Sequence, residues 1–144
     1  MILSLLSTET MALVQRSLDA SALSHKAISN NIANVDTPGF KRSEVVFASK
    51  LREAFEARSR QGQRLEAART DSGHLSFDAE PDPSSVQPMV VQMKHTTMRN
   101  DGNNVDVDNE MAKLEQNTIL YNALAQITQQ QFAGVRSAIF EGRR

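Results

Sequence analysis

The residues of this chain best equipped for chemistry are carboxylates, since Asp101, Asp106, Asp108 and Glu110 fall within one short run. Such a density invites a calcium-loop reading, which requires oxygen ligands at loop positions 1, 3 and 5, glycine at 6 and glutamate at 12. Counted from Asp101, position 5 is Val105 and position 6 is Asp106; counted from Asp106, position 6 is Met111. Both registers fail, and helix capping is the better use of these carboxylates. The three histidines, His25, His74 and His95, are dispersed. His25 lies on an apolar helical stripe with no second His, Cys or carboxylate at ligand spacing on that face, so it reads as a packed structural histidine rather than a metal ligand or a pH switch. Arg58, Arg60, Arg64 and Arg69 are interrupted by Glu56 and Glu66 and have no amphipathic membrane face beside them, which makes a solvated segment of them. There is no His-Glu-x-x-His, no Gly-x-Ser-x-Gly and no phosphate-cradling glycine loop. Catalytic residues, cofactors and metals are therefore not expected.

Composition narrows the class. The chain has 144 residues, enough for one domain, and combines 40% hydrophobic residues with only 5% aromatics. That balance argues for one elongated unit rather than a large private core. No cysteine is present, so disulfides and thiolate metal sites are excluded. The net charge of −1 divides into −1 for 1–40, +4 for 41–70, −6 for 71–115 and +2 for 116–144. A nucleic-acid binder would show a basic face with stacking aromatics, and neither is present. The start, Met1 to Ser7, lacks a basic region and its apolar run is too short for a signal-peptide core or a membrane span, which by sequence rules alone points to the cytoplasm.

Long helices must position whatever these residues do. From Thr8 the apolar pattern is helical, with Met11, Val14, Leu18, Ser21, His25, Ile28, Ile32 and Val35 in alternating steps of three and four. This first helix, about 42 Å long at 1.5 Å per residue, is stopped by Asn34, Pro38 and Gly39, with Pro38-Gly39 suited to the centre of a type II turn. Asn30, Asn31 and Asn34 crowd its end, where amides weaken a helix. They read either as caps exposed to solvent or as hydrogen-bonding groups for a neighbouring chain. Val45, Val46, Phe47, Leu51, Ala54 and Phe55 predict a shorter helix that frays near Gly62. Pro81, Pro83 and Pro88 exclude regular helix and mark the most mobile stretch. Met89 to Met93 and Val105 to Val107 flank the turn signal Asn100-Asp101-Gly102-Asn103, leaving room for a two-stranded hairpin.

Asp106 or Asp108 caps the last helix, with Glu110 favoured in its positive first turn. Its expected seam is Met111, Leu114, Thr118, Tyr121, Ala125, Thr128, Phe132, Val135 and Ile139. From Asn109 to Phe140 it would be about 48 Å long, matching the first helix. The expected fold is mainly α: long N- and C-terminal helices pairing as an antiparallel coiled coil, a short middle helix and room for a small β-ribbon. The expected divisions are 1–40, the first helix and its turn; 41–108, the middle segment; and 109–144, the last helix. Ser21, His25, Thr118, Ala125 and Thr128 dilute the seams, whereas Leu13, Leu23, Leu120, Leu124 and Ile127 lie off them and read as contacts to neighbouring subunits.

The segment Asn30-Asn31-Ile32-Ala33-Asn34-Val35-Asp36-Thr37-Pro38-Gly39-Phe40 resembles the N-terminal motif of the bacterial flagellar rod and hook family. Asp101-Gly102-Asn103-Asn104-Val105-Asp106-Val107-Asp108-Asn109-Glu110-Met111 resembles a second motif of one rod member, and Arg69 to Leu75 a short middle motif of the same member. The resemblance covers nearly the whole chain. It implies a non-enzymatic structural subunit of the proximal rod of the flagellar basal body, exported without cleavage by the type III apparatus and assembled across the periplasm. The implied partners are the MS-ring protein FliF, the adaptor FliE, the rod protein FlgC, further copies of the chain and the export apparatus. The expected assembly residues are Asn30, Asn31, Asn34, Pro38, Gly39, Phe40, Leu120, Tyr121, Leu124 and Ile127. One departure is Leu120, which precedes Tyr121 where many members have a basic residue. The alternatives are another rod component such as FlgC, or a soluble helical export chaperone or binding module.

Overall fold

The computed structural model describes residues 8–61 and 82–141. In chain order the elements are helix α1 (Thr8–Ala33), strand β1 (Ser43–Val46), helix α2 (Ala48–Gln61), a 3-10 turn (Pro83–Ser85), strand β2 (Met89–Gln92) and helix α3 (Val107–Glu141). The two long helices pair, and side-chain bonds between them give their direction: Ser21 meets Asn117 and Asn31 meets Glu110, so the partner number falls as the α1 number rises. The pair is antiparallel, as expected of two long helices of matched length joined by a segment that turns back. By this register Thr8 lies beside the region just before Phe132, and the last turns of α3 run beyond the described part of α1.

Each helix ends for a local reason. After Ala33 the chain tightens, Asn34 N–H donating to the Asn31 carbonyl and Val35 N–H to that of Ile32. It then turns at Pro38-Gly39, where Gly39 takes φ 71° and Phe40 N–H returns to the Thr37 carbonyl. At the other long helix Asp106 is the N-cap, its Oδ1 accepting from the N–H groups of Asp108 (3.1 Å) and Asn109 (3.3 Å).

Three expectations about the middle of the chain need correction. Val45 and Val46 do not open the short helix but lie in β1, which ends before α2 begins at Ala48. The strand Met89–Gln92 does not form a hairpin with 105–107; it pairs antiparallel with β1, Ser43 opposite Gln92 and Val46 opposite Met89. Val105 is a buried core residue and Val107 the first residue of α3. Within the proline-rich stretch, the described part from Asp82 onward is anchored: Pro83 is buried and Arg16 Nη1 donates to the Val86 carbonyl at 3.1 Å. The expectations for Gly62, Arg64, Arg69 to Leu75 and Pro81 lie outside the described residues. His25 is exposed on α1 rather than packed in the seam.

The interior is small and unusually polar. Buried apolar residues among those described are Ala20, Ala27 and Ile28 of α1, Phe47 just before α2, Ala54 in the middle of α2, Pro83 and Val105. The largest side chains that are fully buried are Glu110, Asn31, Asn103 and Asn104. The deepest part of the fold is thus a hydrogen-bonded cluster.

Candidate functional site

The two sequence motifs meet in space and form one clasp. Asn31, in the last turn of α1, is 0% exposed. Its Oδ1 accepts from Ser43 N–H at 2.8 Å while its Nδ2 donates to the Ser43 carbonyl at 2.8 Å, so the side-chain amide pairs with β1 as a strand residue would. The second hydrogen of Nδ2 goes to Glu110 Oε2 at 2.8 Å. Glu110 is itself buried, and its other oxygen receives Arg42 Nη1 at 3.1 Å and has Lys113 Nζ at 3.7 Å. Arg42 divides its guanidinium between Glu110 and Glu44, the latter also at 3.1 Å. A carboxylate taken out of water persists only with such partners, and removing one of them strands the charge.

Asn103 and Asn104 do the same work from the other motif. Asn103 Nδ2 lies within hydrogen-bond distance of three carbonyls in the turns that follow α1, Asn34 (3.1 Å), Val35 (2.9 Å) and Thr37 (2.9 Å). Its Oδ1 accepts from Val105 N–H at 2.7 Å. Asn104 sits where the β1–β2 ladder opens: Oδ1 accepts from Arg42 N–H and Nδ2 donates to the Met93 carbonyl, both at 2.7 Å. Lys41 Nζ donates to the carbonyls of Thr96 and Gly102, both at 2.8 Å. Gly39 N–H donates to the Asp101 carbonyl at 3.0 Å, and a Cβ on Gly102 would stand 3.7 Å from Gly39 Cα. Both glycines have positive φ, so the two turns meet where side chains are least tolerated.

The expected assembly residues fall into two groups. Asn31 is sealed inside the clasp, with partners in its own chain for every polar atom. Asn34 is half-buried, its Nδ2 donating to the Asn30 carbonyl at 2.8 Å. Asn30, Pro38 and Gly39 are exposed and Phe40 is half-buried. On α3, Leu120, Tyr121 and Ile127 are exposed and Leu124 is half-buried. The two groups lie at different places on the molecule, one at the clasp and the other along α3. Sequence reading missed Arg42, Asn103, Asn104 and Glu110 as clasp members; the adjacent pair Asn103-Asn104 within the second motif was the available signal.

The seam of α3 is rotated from the expected one. Leu114, Ala125, Thr128 and Val135 are half-buried as predicted, but Thr118 and Tyr121 are exposed and Met111 (51% exposed), Phe132 (59%) and Ile139 (65%) point away. Their places toward α1 are taken by Glu110, Asn117, Leu124 and Gln131. Asn117 accepts Ser21 Oγ at 2.9 Å and donates Nδ2 to the Ser21 carbonyl at 3.0 Å. Gln131 Oε1 is buried with no hydrogen-bond partner among the described residues. Between α1, β1 and α3 runs a cleft of about 350 Å³, floored by Ala27 and Ile28 and edged by Arg42, Lys113 and Leu120. Among the described residues no helix is long and apolar enough to cross a membrane.

Comparison with known proteins bears on what such a surface serves. Residues 16–41 match the family model described as flagella basal body rod protein. Over 120 residues the chain is 38% identical to the flagellar basal body rod protein FlgB of Borreliella burgdorferi, covering 83% of this chain and 87% of that one. It is 34% identical over 134 residues to FlgB of Bacillus subtilis, covering 93% and 95% of the two chains. With FlgB of Escherichia coli it shares 26% identity over 129 residues, 89% of this chain and 91% of the other.

Proposed function

Since this chain belongs to the FlgB family of flagellar basal body rod proteins, and so is a structural component of the rod, we propose that it polymerises through its terminal helices and links the membrane ring to the rest of the rod. The observation that carries this reading is the outward face of α3. Met111, Ile119, Leu120, Tyr121, Ile127, Phe132, Ile139 and Phe140 are all exposed large apolar residues on one helix. Single exposed apolar residues are ordinary on a protein surface, whereas a helix apolar on most of its circumference belongs inside an assembly. The site does no chemistry, and the protein acts by being built into a larger object.

Its neighbours in this reading are further copies of itself, the MS-ring protein FliF, the adaptor FliE and the rod protein FlgC, reached through the export apparatus and assembled in the periplasmic part of the basal body. Leu120 and Ile127 on α3, with Asn30 and Pro38 at the exposed rim of the clasp, are the contact residues. The test is to replace Leu120 and Ile127 by Asp in a flagellated host and compare the variant in the exported fraction with the variant in purified basal bodies. Burying a carboxylate without a partner in a subunit contact is unfavourable, so export should persist while incorporation and swimming fall. Normal incorporation and swimming would reject this face as an interface.

A further inference from the structure

Helix α3 carries two stripes of heptad spacing, one residue apart. One is Glu110, Asn117, Leu124 and Gln131; the other is Met111, Thr118, Ala125, Phe132 and Ile139. Either stripe, combined with Leu114, Tyr121, Thr128 and Val135, would make a seam, and the two settings differ by a rotation of roughly 50°, half the step per residue. Apolar burial alone favours the second stripe, which holds Met, Phe and Ile against a single Leu. The structure adopts the first. What that setting alone provides is polar pairing: Asn31 Nδ2 reaches Glu110 at 2.8 Å, and Ser21 and Asn117 exchange two hydrogen bonds at 2.9 and 3.0 Å. Ser21, Asn31 and Glu110 are buried, so turning α3 to its other stripe would break these bonds where water cannot replace them.

We propose that the pairs Asn31–Glu110 and Ser21–Asn117 select the rotational setting of α3, holding its more apolar stripe on the outside of the helix pair. Polar residues in an otherwise apolar helix contact are known to fix alignment at a cost in stability, and Gln131 Oε1 on the inward stripe, without a partner among the described residues, is part of that cost. The selector operates within one chain and stands whether or not the outward stripe meets the neighbours proposed above.

The absence of cysteine from the sequence makes the test direct. Thr118, exposed on the outward stripe, becomes a unique thiol in the Thr118→Cys chain, and its rate of reaction with an aromatic disulfide reagent is read on dilute, full-length protein with helix content followed by circular dichroism. In this background the thiol should react nearly as fast as a free one. Adding Ser21→Ala and Asn117→Ala should slow it several-fold with the helices retained, as α3 turns, and adding Glu110→Ala should slow it further. Ser17→Ala with Thr128→Ala is the control, because those hydroxyls bond only to carbonyls of their own helices, and it should leave the rate unchanged. An unchanged rate in folded Ser21→Ala/Asn117→Ala protein, an equal slowing in the control, or loss of helix in that double variant would each overturn the proposal.

Discussion

At the scale of residues, chemically similar asparagines have very different weights. Asn31 and Asn34 are three positions apart, yet Asn31 is sealed between β1 and Glu110 while the Asn34 side chain bonds at the exposed surface. Replacing Asn31 by Ala should cost about 1–3 kcal/mol in urea unfolding, the penalty for unpaired buried groups, against under about 1 kcal/mol for Asn34→Ala. Asn31→Asp should cost more, about 3–5 kcal/mol, because it sets a second carboxylate against the buried one and removes the donor that Glu110 uses. Equal losses for Asn31→Ala and Asn34→Ala would show that burial does not decide their weight. The sequence marks these asparagines as out of place at a helix end but leaves their partners open. Those partners, Ser43 on a strand and Glu110 on another helix, are far away along the chain, and no local rule connects them.

At the scale of elements, what was legible depended on how local the cause was. The two long helices follow from apolar spacing, and the cap at Asp106 from an acidic side chain before a helical run. Val45 and Val46 lie in a strand where the apolar spacing predicts a helix, because a short apolar run fits either equally well. The sheet was misassigned because a turn signal at Asn100 to Asn103 suggests pairing with the nearest apolar run, whereas the real partner is β1, brought there by Asn104 bridging Arg42 and Met93. The rotation of α3 escaped for a related reason: a stripe containing Glu, Asn and Gln scores poorly as a seam until its partners are known. The same stripe predicts a stabilising substitution. Gln131→Leu removes a buried acceptor that has no partner among the described residues and adds apolar contact, so the denaturation midpoint should rise, by about 1–3 kcal/mol in stability. A fall in the midpoint would show that Gln131 has a bonding role in solution.

At the scale of the whole molecule, order is concentrated at one end. The clasp holds the largest fully buried side chains, whereas in the described range no residue of α1 before Ala20 and none of α3 after Glu110 is buried. Amides that close the clasp, such as Ser43, Val105 and Gly39, should therefore exchange hydrogen slowest in the isolated chain, with amides near Met11 and Thr128 exchanging much faster. Uniform protection along both helices, measured by mass spectrometry at low concentration, would contradict this distribution. The triple grip of Asn103 on the carbonyls of Asn34, Val35 and Thr37 has a mechanical side as well. A tension that separates α1 from α3 at that end must stretch many short bonds together, whereas the same tension at the opposite end meets its resistance one side chain at a time. The molecule is in this sense a pair of tongs, stiff at the pivot and yielding at the tips.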